Sequence, residues 1–174
     1  MLKMINISSL FLVGLAFLSV HTPSVSADAW SDQVLAEHNQ ARARYGARAL
    51  QWTPALYSAT VQYVQMCKFA HSNAESQYGE NIYASSNPNT GIKDAVAAWM
   101  AESSNYNYNN PGFSAATGQF TQVVWKNTQQ VTCAMASCPA GAIFPQPSKY
   151  IVCRYTPQGN IAGQFPQNVG RSVV

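Results

Sequence analysis

The side chains in this chain of 174 residues that could do chemistry are few and widely spaced. Lys and Arg together number 10, Asp and Glu 7, and His 3, so any carboxylate or imidazole that recurs in a pattern carries weight. Glu80 and Glu102 could share acid/base work if the fold paired them. His38 and His71 could each hold a proton or a metal ion near neutral pH, since imidazole titrates there and its neutral nitrogen is a good ligand. His38, beside Asn39 on a helix, is expected to be a buried hydrogen-bonding residue, whereas His71, just beyond a helix end, is the better functional candidate. No activated Ser or Cys nucleophile can be identified, so an enzyme is not expected. The four cysteines, Cys67, Cys133, Cys138 and Cys153, lack a Cys-x-x-Cys pair, and the spacing from Cys133 to Cys138 does not suit a zinc knuckle. Disulfides are expected instead, with three pairings open.

A second kind of chemistry is apolar recognition. The run from Tyr106 to Phe113 alternates Tyr106, Tyr108, Pro111, Gly112 and Phe113 with asparagines too polar for a core strand, so its aromatics are expected to protrude or to line a groove. After it, Phe120, Val123 and Val124 fall at helical spacing, while Gln119 and Gln122 point another way. Trp125 then needs both a pocket and a partner for its N–H.

These residues must be positioned by an extracellular fold. A basic Met1-Leu2-Lys3 start, an apolar run from Leu10 to Val20 too short to span a bilayer, and the small residues Val25-Ser26-Ala27 read as a signal peptide over residues 1–27. Residues 28–174 then form a single domain, with no transmembrane anchor expected. Cleavage would remove Lys3 and no acidic residue, leaving a net charge of +2 without any basic run, so no nucleic acid partner is expected. No Asn-x-Ser/Thr site is found in that domain.

Ser31 is placed as the N-cap of a first helix closed by Gly46, with Val34, Leu35, His38, Ala41 and Arg42 on one stripe. Thr53-Pro54 opens a second helix ending near Phe69, with Leu56, Thr60, Tyr63, Val64 and Cys67 on one side. Residues 79–84 form a short strand, and Thr90 caps a third helix with Val96 and Trp99 inward and Glu102 one turn further on. Residues 130–136 and 149–155 read as strands, and the tail from Thr156 as loop.

Taken in order, several motifs resemble one family. They are His38-Asn39 with Arg42, Gly46, Leu50 and Trp52; Cys67 four residues before His71-Ser72; Gly79-Glu80-Asn81; Trp99 with Glu102; Gly118-Gln119-Phe120-Thr121-Gln122-Val123-Val124-Trp125; and the stretch from Cys153 to Asn160. The chain is similar to the superfamily of cysteine-rich secretory proteins, antigen 5 and pathogenesis-related class 1 proteins, the CAP superfamily, from Trp30 to about Phe165. The stretch from Asn110 to Ser114 looks most like the secreted fungal members, some of which bind and export sterols.

The resemblance implies an α/β fold, an α-β-α sandwich with a small three-stranded antiparallel sheet between helical layers. It implies two disulfides, Cys67 with Cys138 and Cys133 with Cys153. It also implies a central cleft of two His and two Glu, matched here by His71, Glu80 and Glu102, with Gln119 standing where the second histidine belongs. Family members with both imidazoles can hold a zinc-like ion. With Gln119 the four residues are expected to form a hydrogen-bonded polar floor, with neither a metal nor another cofactor. A further lipid site in the family, between the first and third helices, could be lined here by Val34 and Val96, although plain helix packing is the favoured expectation. The expected function is a secreted, extracellular protein that binds and exports sterols, with fatty acids as a second lipid class. The sterol would sit on Tyr106, Tyr108, Pro111, Gly112 and Phe113. The alternative is a secreted effector or defence-modulating protein that acts through contacts with a protein receptor.

Overall fold

Two strands with buried residues at both odd and even positions organise the molecule. The computed structural model describes residues 29–74 and 77–173; the expected signal peptide, residues 1–27, and Asp28 lie outside them. The elements are α1 (Ala29–Ala43), β1 (Gln51–Trp52), α2 (Tyr57–Gln65), β2 (Gly79–Ser85), α3 (Ile92–Ala101) with a 3-10 turn at Glu102–Asn105, α4 (Gly118–Val123), β3 (Gln130–Cys138), β4 (Ser148–Thr156) and α5 (Phe165–Asn168). Side chains alternate across a strand. Val131, Cys133, Ile151, Cys153 and Tyr155 therefore face one cluster with α1, α3 and α4, while Ala134, Tyr150 and Val152 face Val64 of α2. Helices on both faces of one sheet give the expected α-β-α sandwich.

The sheet has one strand more than expected. Its order is β1-β3-β4-β2, in which β3 and β2 flank β4 antiparallel and the two-residue β1 adds to β3 in parallel. Two residues carry no periodicity, which is why β1 leaves no trace in the sequence. Cys133 and Cys153 are register partners on β3 and β4 and form one disulfide, and Cys67 joins Cys138 at the end of β3 in the other.

Several boundaries move. Ser31 is buried inside α1, so it is no cap, while Gly46 does close the helix at φ +62°, a left-handed conformation that glycine adopts freely. Thr53 and Pro54 form a turn before α2, whose helical residues begin only at Tyr57. The helix stops at Gln65 rather than near Phe69, two residues before Cys67 turns left-handed (φ 51°) on its way to Cys138. The cap of α3 is Gly91, not Thr90: the Asp94 carboxylate accepts the Gly91 N–H at 2.9 Å. In the tail, Phe165–Asn168 is helical, and Phe165 packs its ring edge-on to Trp125 at 5.0 Å.

Buried polar groups tie these layers together. Arg42 is fully buried without a counter-ion among the described residues, and its guanidinium donates to the carbonyls of Arg48, Val123, Trp125 and Thr128 at 2.7–3.0 Å. Burial lowers its pKa to about 10, so it stays charged at neutral pH and serves the carbonyls at the end of α4. Gln122, expected to point away from the core, is 1% exposed. Its amide accepts from Gly159 N at 2.8 Å and donates to Thr128 Oγ1 at 3.2 Å, and a side chain at Gly79 would collide with it. Trp125 has its pocket, but its indole N–H has no partner among the described residues.

Candidate functional site

The edge of β2 supplies the floor of the central cleft. Antiparallel pairing with β4 uses alternate residues of β2, and the outward N–H and C=O of Ile82 would be left at an open sheet edge. The Gln119 side chain closes that edge as a peptide group would. Its Oε1 accepts Ile82 N–H at 3.3 Å and its Nε2 donates to Ile82 O at 3.4 Å, while the Trp99 indole donates to the same carbonyl at 3.0 Å. Asn81 donates to the Gln119 backbone carbonyl at 3.0 Å, which pins the start of α4 to the strand.

Glu80 carries the charge of the cleft. One oxygen accepts from His71 Nδ1 at 3.2 Å and from the Ser72 amide at 2.8 Å, and the other from the Ser72 hydroxyl and from Arg154 Nε at 3.2 Å. Burial pushes the Glu80 carboxyl up, but the hydrogen bonds from His71, Ser72 and Arg154 outweigh it and hold the carboxyl below its ordinary value. Arg154 lies with its guanidinium 5.2 Å from the ring centre of Tyr63 and 4.4 Å from that of Tyr78.

Glu102 takes a different role. Its Oε2 accepts the backbone N–H groups of Gln119 and Phe120, both at 3.0 Å, so it caps the first turn of α4. Burial raises its pKa, and those two N–H bonds oppose the rise. His71, Glu80 and Gln119 line one cleft of about 330 Å³ with Gly118, Asn160 and Phe113. Of the four residues expected there, Glu102 stands behind the floor rather than on it.

The donor set is a poor one for a divalent cation: both polar atoms of Gln119 are hydrogen-bonded to Ile82, one oxygen of Glu102 is held by α4, and the Glu80 carboxylate already holds a guanidinium. His38 lies near Cys133 and Cys153, but those sulfurs form a disulfide and cannot act as thiolates. His38 instead bonds Val34 O at 2.8 Å and the Tyr155 hydroxyl at 2.9 Å, as its place beside Asn39 implied.

The aromatic run is only partly open. Tyr106 is 8% exposed and packs edge-on to Phe120 and Tyr108, so it does not protrude. Tyr108 donates to Gly170 O at 3.1 Å and carries the Arg171 guanidinium over its ring. Phe113, by contrast, is 65% exposed. A groove of about 290 Å³ is lined by Tyr106, Pro111, Gly112 and Phe113, with Tyr108 outside it. Phe113 is the wall shared with the central cleft, its ring resting on Gly118. Between α1 and α3 a further groove of about 510 Å³ runs over Ala41, Tyr45, Ala97, Met100 and Ala101. Val34 and Val96 do not line it; both are buried in the core. Asn160 lines the cleft, Ser72 and Arg154 hold the Glu80 carboxylate and Tyr78 flanks Arg154, and none of these four is among the site residues expected from the sequence. Arg154 had left a signal, a charge between Cys153 and Tyr155 directly after the apolar run from Tyr150 to Cys153.

Residues 35–155 match the family model described as CAP, the cysteine-rich secretory protein family. The chain belongs to this family. Among curated CAP relatives, it is 37% identical over 143 residues to Protein PRY2 of Saccharomyces cerevisiae, covering 80% of this chain and 41% of that protein. It is 35% identical over 148 residues to pathogenesis-related protein 1 of Arabidopsis thaliana, covering 83% and 86%. The crystal structure of NaASP2 with Zn2+ shares the fold at a TM-score of 0.62 and 20% identity, over 84% of this chain and 85% of that one. The hookworm platelet inhibitor structure shares it at 0.66 and 18%, over 83% and 78%.

Proposed function

We propose that this CAP protein is secreted after loss of residues 1–27 and works outside the cell as a single-domain, non-catalytic lipid carrier that binds and exports sterols. The observation that carries the reading is Phe113. A ring 65% exposed at the wall of a groove that it shares with Tyr106 and Pro111, between asparagines, Ser114 and Thr117, is open to an apolar ligand at no cost to the core. A sterol is flat, rigid and almost wholly apolar, so it loses little freedom on binding and gains chiefly from area removed from water. The resemblance to secreted fungal members, some of which bind and export sterols, points the same way. No helix among the described residues is long and apolar enough to cross a membrane. All four cysteines are paired, as suits an oxidising compartment.

The chemistry of the cleft supports the non-catalytic reading. The Ser72 hydroxyl is hydrogen-bonded to Glu80, and a carboxylate held below its ordinary pKa is a poor base for activating it. The groove over Ala41, Ala97 and Ala101 is the place for a fatty-acid chain, since small residues leave room between the helices.

Binding of a radiolabelled sterol to purified wild type, Phe113→Ala and His71→Ala tests the proposal. Removing the Phe113 ring is expected to cost about 2 kcal/mol, a loss of tenfold or more in affinity, with an unchanged melting point. His71→Ala is expected to bind as wild type. A wild type that binds no sterol would hand the function to the protein-contact alternative.

A further inference from the structure

Four cations from three segments of the chain lie around the C-terminal tail. Arg44 follows α1, and its carbonyl accepts the Val173 N–H at 2.7 Å. Arg48 and Lys126 line one polar groove of about 600 Å³, whose other polar side chains, Gln51, Asn127, Thr128 and Gln129, are all neutral. The Lys126 amide donates to Asn168 O at 3.1 Å, and its ammonium lies beside Gly170, 3.3 Å from where a Cβ would sit. Arg171 covers the Tyr108 ring at 4.6 Å. All four side chains are exposed. Among the described residues the ion pairs are His71–Glu80 and Arg154–Glu80, so none of these four cations is in one. Val173, tied to Arg44 and 67% exposed, stands among them.

Like charges gathered around one segment repel one another, and an anionic partner relieves that repulsion. We propose that this face is a docking surface for an anionic phospholipid bilayer, with Arg44, Arg48, Lys126 and Arg171 on the headgroups and Val173 at the interface. An exposed apolar side chain among cations suits a bilayer surface better than a nucleic acid. The nearby ring that could stack on a base, Tyr108, is already covered by Arg171 and tied through its hydroxyl to Gly170. The surface does not depend on the sterol reading, because docking needs only headgroup charge.

Co-sedimentation with phosphatidylcholine vesicles, with and without phosphatidylserine, tests it on the purified protein. Wild type is expected to sediment only with the phosphatidylserine vesicles and to be released by added salt. Each lost cation is expected to weaken binding about fivefold, so Arg48→Glu with Lys126→Glu should lose more than about twentyfold while circular dichroism stays that of wild type. Lys93→Glu on α3, outside the patch, is expected to sediment as wild type. The proposal is overturned by wild type ignoring phosphatidylserine, by an equal loss in Lys93→Glu, or by duplex DNA stripping wild type from the vesicles at the same ionic strength.

Discussion

At the scale of single residues, the cleft is governed by how each polar atom is already employed. Arg154 is nearly buried beside an equally buried Glu80, with side-chain exposures of 4% and 5%, and two tyrosine rings flank its guanidinium. A buried pair is costly to break because the surviving charge is left without compensation. Arg154→Gln is therefore expected to lose on the order of 3 kcal/mol at neutral pH. The difference from wild type should shrink as the pH falls through the lowered pKa of Glu80, where the carboxylate takes up a proton and no longer needs a cation. Denaturant titrations of both proteins across the acid range measure this; a gap that does not change with pH would show that Arg154 acts through packing alone. Gln119 illustrates the same economy, since both atoms of its amide serve the edge of β2.

At the scale of elements, short helices and strand ends depend on cross-links. The Cys67–Cys138 bridge spans 71 residues and ties the chain after α2 to the end of β3, while Cys133–Cys153 spans 20 and joins β3 to β4 inside the core. Chain-entropy reasoning gives about 4 kcal/mol for the longer loop and about 3 kcal/mol for the shorter. Replacing Cys67 and Cys138 by Ser should lower stability by nearly the first amount in calorimetry and release the end of α2. A melting point unchanged by that replacement would mean that α2 is held by Val64 and its neighbours without help from the bridge.

At the scale of the whole molecule, pH acts on stability through His38 as well as Glu80. Burial lowers His38 from 6.5 to about 4, opposed by its bond to Val34 and aided by the charge of Arg42. As the pH falls through that window, the unfolded chain takes up a proton that the folded one refuses, so stability is lost, by roughly 3 kcal/mol when complete. Glu80 adds its loss only below the ordinary carboxylate range. His38→Gln should abolish the first of these two losses; a wild type equally stable at neutral pH and at pH 4 would contradict a neutral, buried His38. What the sequence determined by itself was whatever rests on local period or on a chain of spaced motifs: the main strands, α1, the inward Val96 and Trp99, the family and so its sandwich and disulfide pairing. Period is local because side-chain direction follows backbone geometry. Only the tertiary structure decided that Tyr106 is core while Phe113 stands out, that Glu102 caps α4, and that Arg154 neutralises Glu80. It also brought Arg44, Arg48, Lys126 and Arg171 around the C-terminal tail in a chain with no basic run. Those outcomes depend on which atoms come within hydrogen-bonding or Coulomb range once distant segments pack, and no spacing along the chain encodes that distance.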